Sequence, residues 1–321
     1  ADIEDNSCQW ANDGECDEPR YGTGACTQGT DRNDCGDLRL LRFQTDICVT
    51  AFDGVCNEPG LGNGTCEART DRADCIGRER PMLINDHFFG FDDRVILDTA
   101  ATPWASVGWI EMDAEGTACT ATLVAADVIV TAAHCIEANG RIDARGVFQT
   151  GFGRPGGAAT ARIVAHLVSA DRTVGGKLVD ESETDWALLR IERPLGDEVG
   201  IVGVRRLADY SNNQALLLTL LQGGYSWDTG DNLSGNLDCN IVDFDGDRLI
   251  LHDCDTTRGD SGSPFMIRDG DGYFIVATDS AFDIVPNEPA RYVATRADEW
   301  VALLPGFAAG AIGVELPEPV K

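Results

Sequence analysis

Residues 259–264 read GDSGSP, which sets Ser261 in a turn between Gly259 and Gly262. Two earlier stretches complete the pattern. TAAHC at 131–135 puts His134 after an apolar strand, and TDWALLR at 184–190 puts Asp185 at the start of another. Singly, each has a plain structural explanation: a core histidine, a capping acid, an ordinary turn. Together, in the order His, Asp, Ser, they hold what acyl transfer requires. A serine hydroxyl is a poor nucleophile near neutral pH until a base lies within hydrogen-bond reach, and that base needs a carboxylate to hold its tautomer and stabilise the imidazolium. Glycines around Ser261 let the backbone N–H groups of Gly259 and Ser261 approach a developing oxyanion, one such donor being worth roughly 10²- to 10³-fold in rate. His87, His166 and His252 lack this context and read as structural or surface residues.

Outward from these motifs, from about Arg94 onward, short runs of Val, Ile, Leu and aromatic residues are broken by Gly, Asp and Asn. That is the pattern of many short strands joined by turns, and it predicts an all-β sandwich or barrel. Residues 120–124 and 128–132 read as neighbouring strands, 186–191 and 273–278 as further strands, and 296–304 as a closing helix stopped by Pro305 and Gly306. NIVDFDGDRLILHD at 240–253 reads as a hairpin with a two-residue loop, Gly246 and Asp247. That register sets Asp245 opposite Arg248 and, counting back, Cys239 opposite Cys254, where a cross-strand disulfide is geometrically reasonable.

The three motifs resemble those of the trypsin-like (chymotrypsin-fold) serine peptidases over roughly residues 90–305. The resemblance implies two six-stranded antiparallel β-barrels with a C-terminal helix, His134 and Asp185 coming from the first barrel and Ser261 from the second. It implies hydrolysis of protein or peptide substrates through an acyl-enzyme; the alternative on the same scaffold is a catalytically inactive binding protein. It matches Cys119 and Cys135, which bracket two adjacent strands, to the family's histidine-loop bridge. The entry segment GFDDRVILDTAATPWASV at 90–107 is similar in style to bacterial glutamyl endopeptidases. By the same resemblance Asp255, six residues before Ser261, is the floor of the primary specificity pocket, and Asp279, Ser280, Ala281 and Phe282 form its wall. Acids at 255 and 279 imply cleavage after Arg or Lys, with the Phe282 ring narrowing the entrance; Asp255 capping the turn after Cys254 is the alternative. Family zymogens are switched when a new N-terminal amine pairs with the acid at Asp260, and the expected cut falls after Arg94 or in the linker at 76–91.

The first 80 residues differ in kind. Shifted by forty positions, Cys8, Cys16, Cys26 and Cys35 superimpose on Cys48, Cys56, Cys66 and Cys75 without a gap. Three domains follow: repeat modules at 1–40 and 41–80, and a third domain at 81–321. The modules have too few large apolar residues for a core, so bridges must hold them, each contributing roughly 3 kcal/mol on the chain-entropy model. Four cysteines allow three pairings per module, and all stay open. Asp13, Glu18, Asp31 and Asp34 recur as Asp53, Glu58, Asp71 and Asp74. These eight are candidate ligands for Ca2+, or else caps of solvated turns. NDGECDEPRYGTGACTQGTDRNDC and FDGVCNEPGLGNGTCEARTDRADC resemble the small calcium-binding Lin-12/Notch repeats, which carry six cysteines where these carry four.

Composition bounds the rest. With 54 acidic against 25 basic side chains the net charge is -29, and Lys177 and Lys321 are the only lysines. Nucleic acid is excluded as a partner, because phosphate binding needs clustered Lys and Arg. Twelve cysteines and a chain that begins at Ala1, as after signal-peptide removal, predict a secreted or periplasmic protein. No apolar run is long enough to span a bilayer, and an extracellular protein is the partner expected for the repeats.

Overall fold

The computed structural model describes residues 7–9, 48–50, 55–57, 65–66, 94–114, 118–151, 159–174, 177–179, 182–229, 232–283 and 291–317. The eight candidate calcium ligands, the linker at 76–91 and His87 lie outside them. The chain divides into two compact units. One holds 1–95 with 226–231 and 255–257, and the other holds the remainder.

In the larger unit six strands close the first barrel: β1 (Val107–Met112), β2 (Ala118–Ala125), β3 (Val128–Thr131), β4 (Gly146–Thr150), β5 (Ala159–Val168) and β6 (Ala187–Ile191). All pairings are antiparallel, in the order β6-β3-β2-β1-β4-β5, and β5 pairs back onto β6. Closure removes the exposed edges that an open sheet must protect. The interior takes Ile110, Leu123, Ile129, Phe148 and Leu189, each contributing about 1.5–3 kcal/mol by leaving water.

The second barrel repeats the plan with β7 (Thr219–Gln222), β8 (Cys239–Asp245), β9 (Leu249–His252), β10 (Pro264–Asp269), β11 (Gly272–Asp283) and β12 (Arg291–Arg296). Its order is β11-β10-β7-β8-β9-β12, closed by β12 on β11. Leu220, Ile241, Ile250, Phe265 and Val276 fill it. The expected pair of six-stranded barrels is therefore present.

Two local expectations need correction, and one open choice is resolved. Residues 296–304 do not form one helix: a 3-10 turn at Ala297–Glu299 is followed by a short helix, α1 (Leu304–Ala308). Pro305 sits in the first turn of α1, where a missing N–H costs nothing, so it starts the helix instead of stopping it. The hairpin loop has three residues, since Asp245 pairs with Leu249, and Gly246 takes φ +65°. A bulge between Ile241 and Asp243 then absorbs one residue, so Cys239 and Cys254 still meet, with Cα atoms 5.0 Å apart. The expected disulfide is present across a longer loop than expected. In the second module Cys48 bonds Cys66, which selects first-with-third among the three open pairings.

Candidate active site

His134 lies in the 3-10 turn Ala133–Ile136, directly after β3. The Cys119–Cys135 disulfide ties that turn to β2, as the family resemblance implied. Asp185 comes two residues before β6, which pairs with β3, so the barrel's hydrogen-bond ladder delivers the acid to the histidine. His134 Nδ1 is 2.8 Å from Asp185 Oδ2, and the His134 backbone N–H donates to Oδ1 at 2.8 Å. The Ser280 hydroxyl donates to Oδ2 at 2.7 Å. Ser280, expected on a pocket wall, thus spends its hydroxyl on the buried carboxylate.

Ser261 occupies the turn before β10 and is half-buried. Its carbonyl accepts from Thr120 N at 2.9 Å and lies 3.8 Å from Cys135 Sγ; that sulfur is in a disulfide and has no proton to donate. One strand of the first barrel therefore holds the turn that carries Ser261, and the same strand is bridged to the turn that carries His134. Gly259 adopts φ +92°, and its carbonyl accepts from Thr120 Oγ1 at 2.9 Å. Gly262 has φ +80° and passes so close to β2 and β3 that a Cβ there would fall 2.2 Å from Thr131 Oγ1 and 2.4 Å from Thr120 O. Gly262 is required by this close passage of the second barrel's turn against the first, and Gly259 is favoured by its left-handed φ.

Burial pulls the His134 imidazole toward the neutral form, but the charge and hydrogen bond of Asp185 outweigh it, and its pKa lies above the ordinary 6.5. Burial likewise works to raise Asp185, yet His134 and then Arg172 bring it below the usual carboxylate range. The two shifts describe one ion pair whose charged form the site favours.

Asp279, Ser280 and Phe282, expected on the wall of the specificity pocket, share β11. Asp255 is buried, in the smaller unit, within a stretch whose Thr257 accepts from Trp227 Nε1 at 3.0 Å. Asp279 lies on β11 with His252 Nε2 3.6 Å from its Oδ1. Burial raises its carboxyl well above the usual range, His134 opposing and Asp185 reinforcing the rise. His252 is fully buried against Phe265, and burial drives its pKa down to about 3, so it is neutral in ordinary solution and fits its structural reading. Phe282 is exposed and stacks on Tyr292. Cys119, His134 and Cys135 crowd together in a metal-like cluster, but the disulfide consumes both thiolates.

Two residues at this site went unrecognised in the sequence. Arg172 places Nη2 3.5 Å from Asp185 Oδ1, and Glu137 binds Arg172 Nε at 2.6 Å. Arg172 ends the 3-10 turn Ala170–Arg172 and Glu137 opens the short strand Glu137–Ala138, and neither belongs to one of the three motifs.

A double barrel carrying a His–Asp pair on one half and a glycine-framed serine on the other defines the chymotrypsin class of serine endopeptidases. The Trypsin family model matches residues 98–301, and the chain belongs to that family. Among solved structures a Glu endopeptidase in complex with MPD has a similar fold, with TM-score 0.54 and 21% identity over 68% of this chain and 96% of that one. No curated protein matches by sequence.

Proposed function

We propose that the protein is a secreted or periplasmic endopeptidase in which Ser261 attacks the scissile carbonyl, His134 accepts the hydroxyl proton, and Asp185 holds the imidazole. The observation that carries this reading is the 2.8 Å contact of His134 Nδ1 with Asp185 Oδ2, which leaves Nε2 as the proton acceptor. Asp185 orients the ring and stabilises the imidazolium without itself being protonated. The N–H groups of Gly259 and Ser261 are the proposed oxyanion donors. His134 then returns the proton to the leaving amine, and water, activated by the same imidazole, releases the acyl group. Fluorophosphonate labelling at Ser261, abolished in Ser261→Ala, tests the assignment; absence of labelling in the wild type favours a binding protein on an inactive scaffold.

Cleavage after Arg or Lys is the specificity proposed, from Asp255 and Asp279. Burial disfavours the charge on Asp279, and a guanidinium or ammonium brought beside it favours that charge. Preference of the wild type for acidic or large apolar residues in a chromogenic peptide panel would overturn this. Arg94 is buried, so a cut after it needs that segment to open first. N-terminal sequencing of active enzyme that still starts at Ala1 would remove the processing step. Calcium in the repeats remains part of the proposal, as does an extracellular partner for them, and neither enters any step of the chemistry.

A further inference from the structure

The side chain of Arg172, at the end of the 3-10 turn Ala170–Arg172, is completely buried. Taking a guanidinium out of water costs several kcal/mol unless its charge is paired and its donors are used. Here Nε donates to Glu137 Oε1 at 2.6 Å, Nη1 donates to Thr184 Oγ1 at 3.4 Å, and Nη2 lies 3.5 Å from Asp185 Oδ1. Glu137 follows the turn that carries His134, and Thr184 immediately precedes Asp185. The guanidinium thus spans the two segments that bring base and acid together.

Oδ1 of Asp185 receives the His134 backbone N–H and faces Arg172, while Oδ2 receives Ser280 and His134 Nδ1. The charges also fit the reaction. Arg172 alone beside Asp185 would cancel the negative charge an imidazolium needs, and Glu137 restores it. With the imidazolium formed, Glu137, Arg172, Asp185 and His134 together carry no net charge. The groups that act on the imidazole are Asp185 and Arg172 from the turns and Asp279 from β11, with Glu137 acting through Arg172.

We propose that Arg172, clamped by Glu137, is a positioning residue that locks the Asp185 carboxylate so that Oδ2 faces His134 Nδ1. This rests on the serine-peptidase reading of the site. Arg172 meets no substrate in that reading, so its effect belongs in kcat and in the pH profile.

The test compares full-length wild type with Arg172→Met, Arg172→Lys, Glu137→Gln and the double variant Glu137→Gln/Arg172→Met. The measurements are kcat, KM, the pH dependence of kcat/KM and the melting temperature. Arg172→Met removes a positive charge near the imidazole, and the acid limb moves up by roughly half to one pH unit. In the same variant kcat falls about tenfold through lost alignment, with KM unchanged. Glu137→Gln leaves Arg172 uncompensated and moves the limb down. The double variant falls between them. Arg172→Lys keeps the midpoint but loses kcat, because an ammonium lacks the planar fork. Midpoints equal to wild type in all variants, with only melting temperature altered, overturn the proposal. If Arg172→Met does not fold, Glu137→Gln still reports the sign, and no downward shift there overturns it. A wild type that fluorophosphonate does not label overturns the peptidase reading first, and this proposal with it.

Discussion

Replacing Asp185 by asparagine leaves the volume of the site unchanged and reverses its chemistry. The amide has one accepting and one donating end, and the contacts decide which way it turns. On the Oδ1 side stand two donors, the His134 backbone N–H at 2.8 Å and Arg172 Nη2 at 3.5 Å. On the Oδ2 side stand His134 Nδ1, which can donate or accept, and the Ser280 hydroxyl, which can do either. An amide nitrogen facing two fixed donors would leave buried groups unsatisfied at about 1–3 kcal/mol each. The carbonyl therefore faces Arg172, and the amide N–H faces Nδ1. That forces the proton onto Nε2, the atom that must accept the Ser261 proton. The expected loss in kcat is about 10⁴-fold, or roughly 5 kcal/mol of barrier, with KM and melting temperature little changed. Steady-state hydrolysis of a peptide ester, together with the rate of fluorophosphonate labelling, measures it. Asp185→Asn retaining more than about a tenth of wild-type kcat at neutral pH would refute this reasoning, because the tautomer would then not be controlling proton transfer.

Other outcomes follow from the same geometry. Because Asp185 raises the pKa of His134 and the neutral imidazole is the base, kcat/KM should rise with pH through a midpoint above 6.5; a midpoint below 6.5 contradicts the ion pair. The linked stability has the opposite trend: the imidazolium stabilises the fold below 6.5, and that contribution is lost as pH rises through the raised native value, readable as a falling melting temperature in buffers of graded pH. Gly262→Ala puts a Cβ 2.4 Å from Thr120 O in a left-handed backbone, and should cost on the order of 3 kcal/mol in denaturant unfolding. If the repeats hold calcium, chelator should lower the melting temperature of the full chain, and Asp31→Asn/Asp71→Asn should already show the lowered value without chelator; identical curves with and without chelator would remove the ion.

Much of the candidate site was legible because the residues proposed as reactive are embedded in local motifs. TAAHC, TDWALLR and GDSGSP each join a short apolar strand or a glycine turn to one functional side chain, and such sequence-local features survive in the one-dimensional pattern. Strand existence was legible for the same reason. The closing helix was misplaced because Pro305 signals a helix start as readily as a stop, depending on which side the helix lies. The loop in the β8–β9 hairpin was misjudged because a three-residue loop with a compensating bulge and a two-residue loop without one give the same cysteine pairing.

From the sequence alone came the all-β class, the repeat of four cysteines, the two disulfides of the barrels and the three residues proposed for catalysis, since each depends on short-range spacing or on residue type. Tertiary structure alone decided that Ser280 serves the carboxylate, that burial raises the pKa of Asp279, and that Arg172 stands behind Asp185 with Glu137 at its back. An arginine in a loop reads as solvated in any linear pattern. Only barrel closure removes the water from around it, and with the water gone its charge must be matched by the side chains that the fold has brought within hydrogen-bond reach.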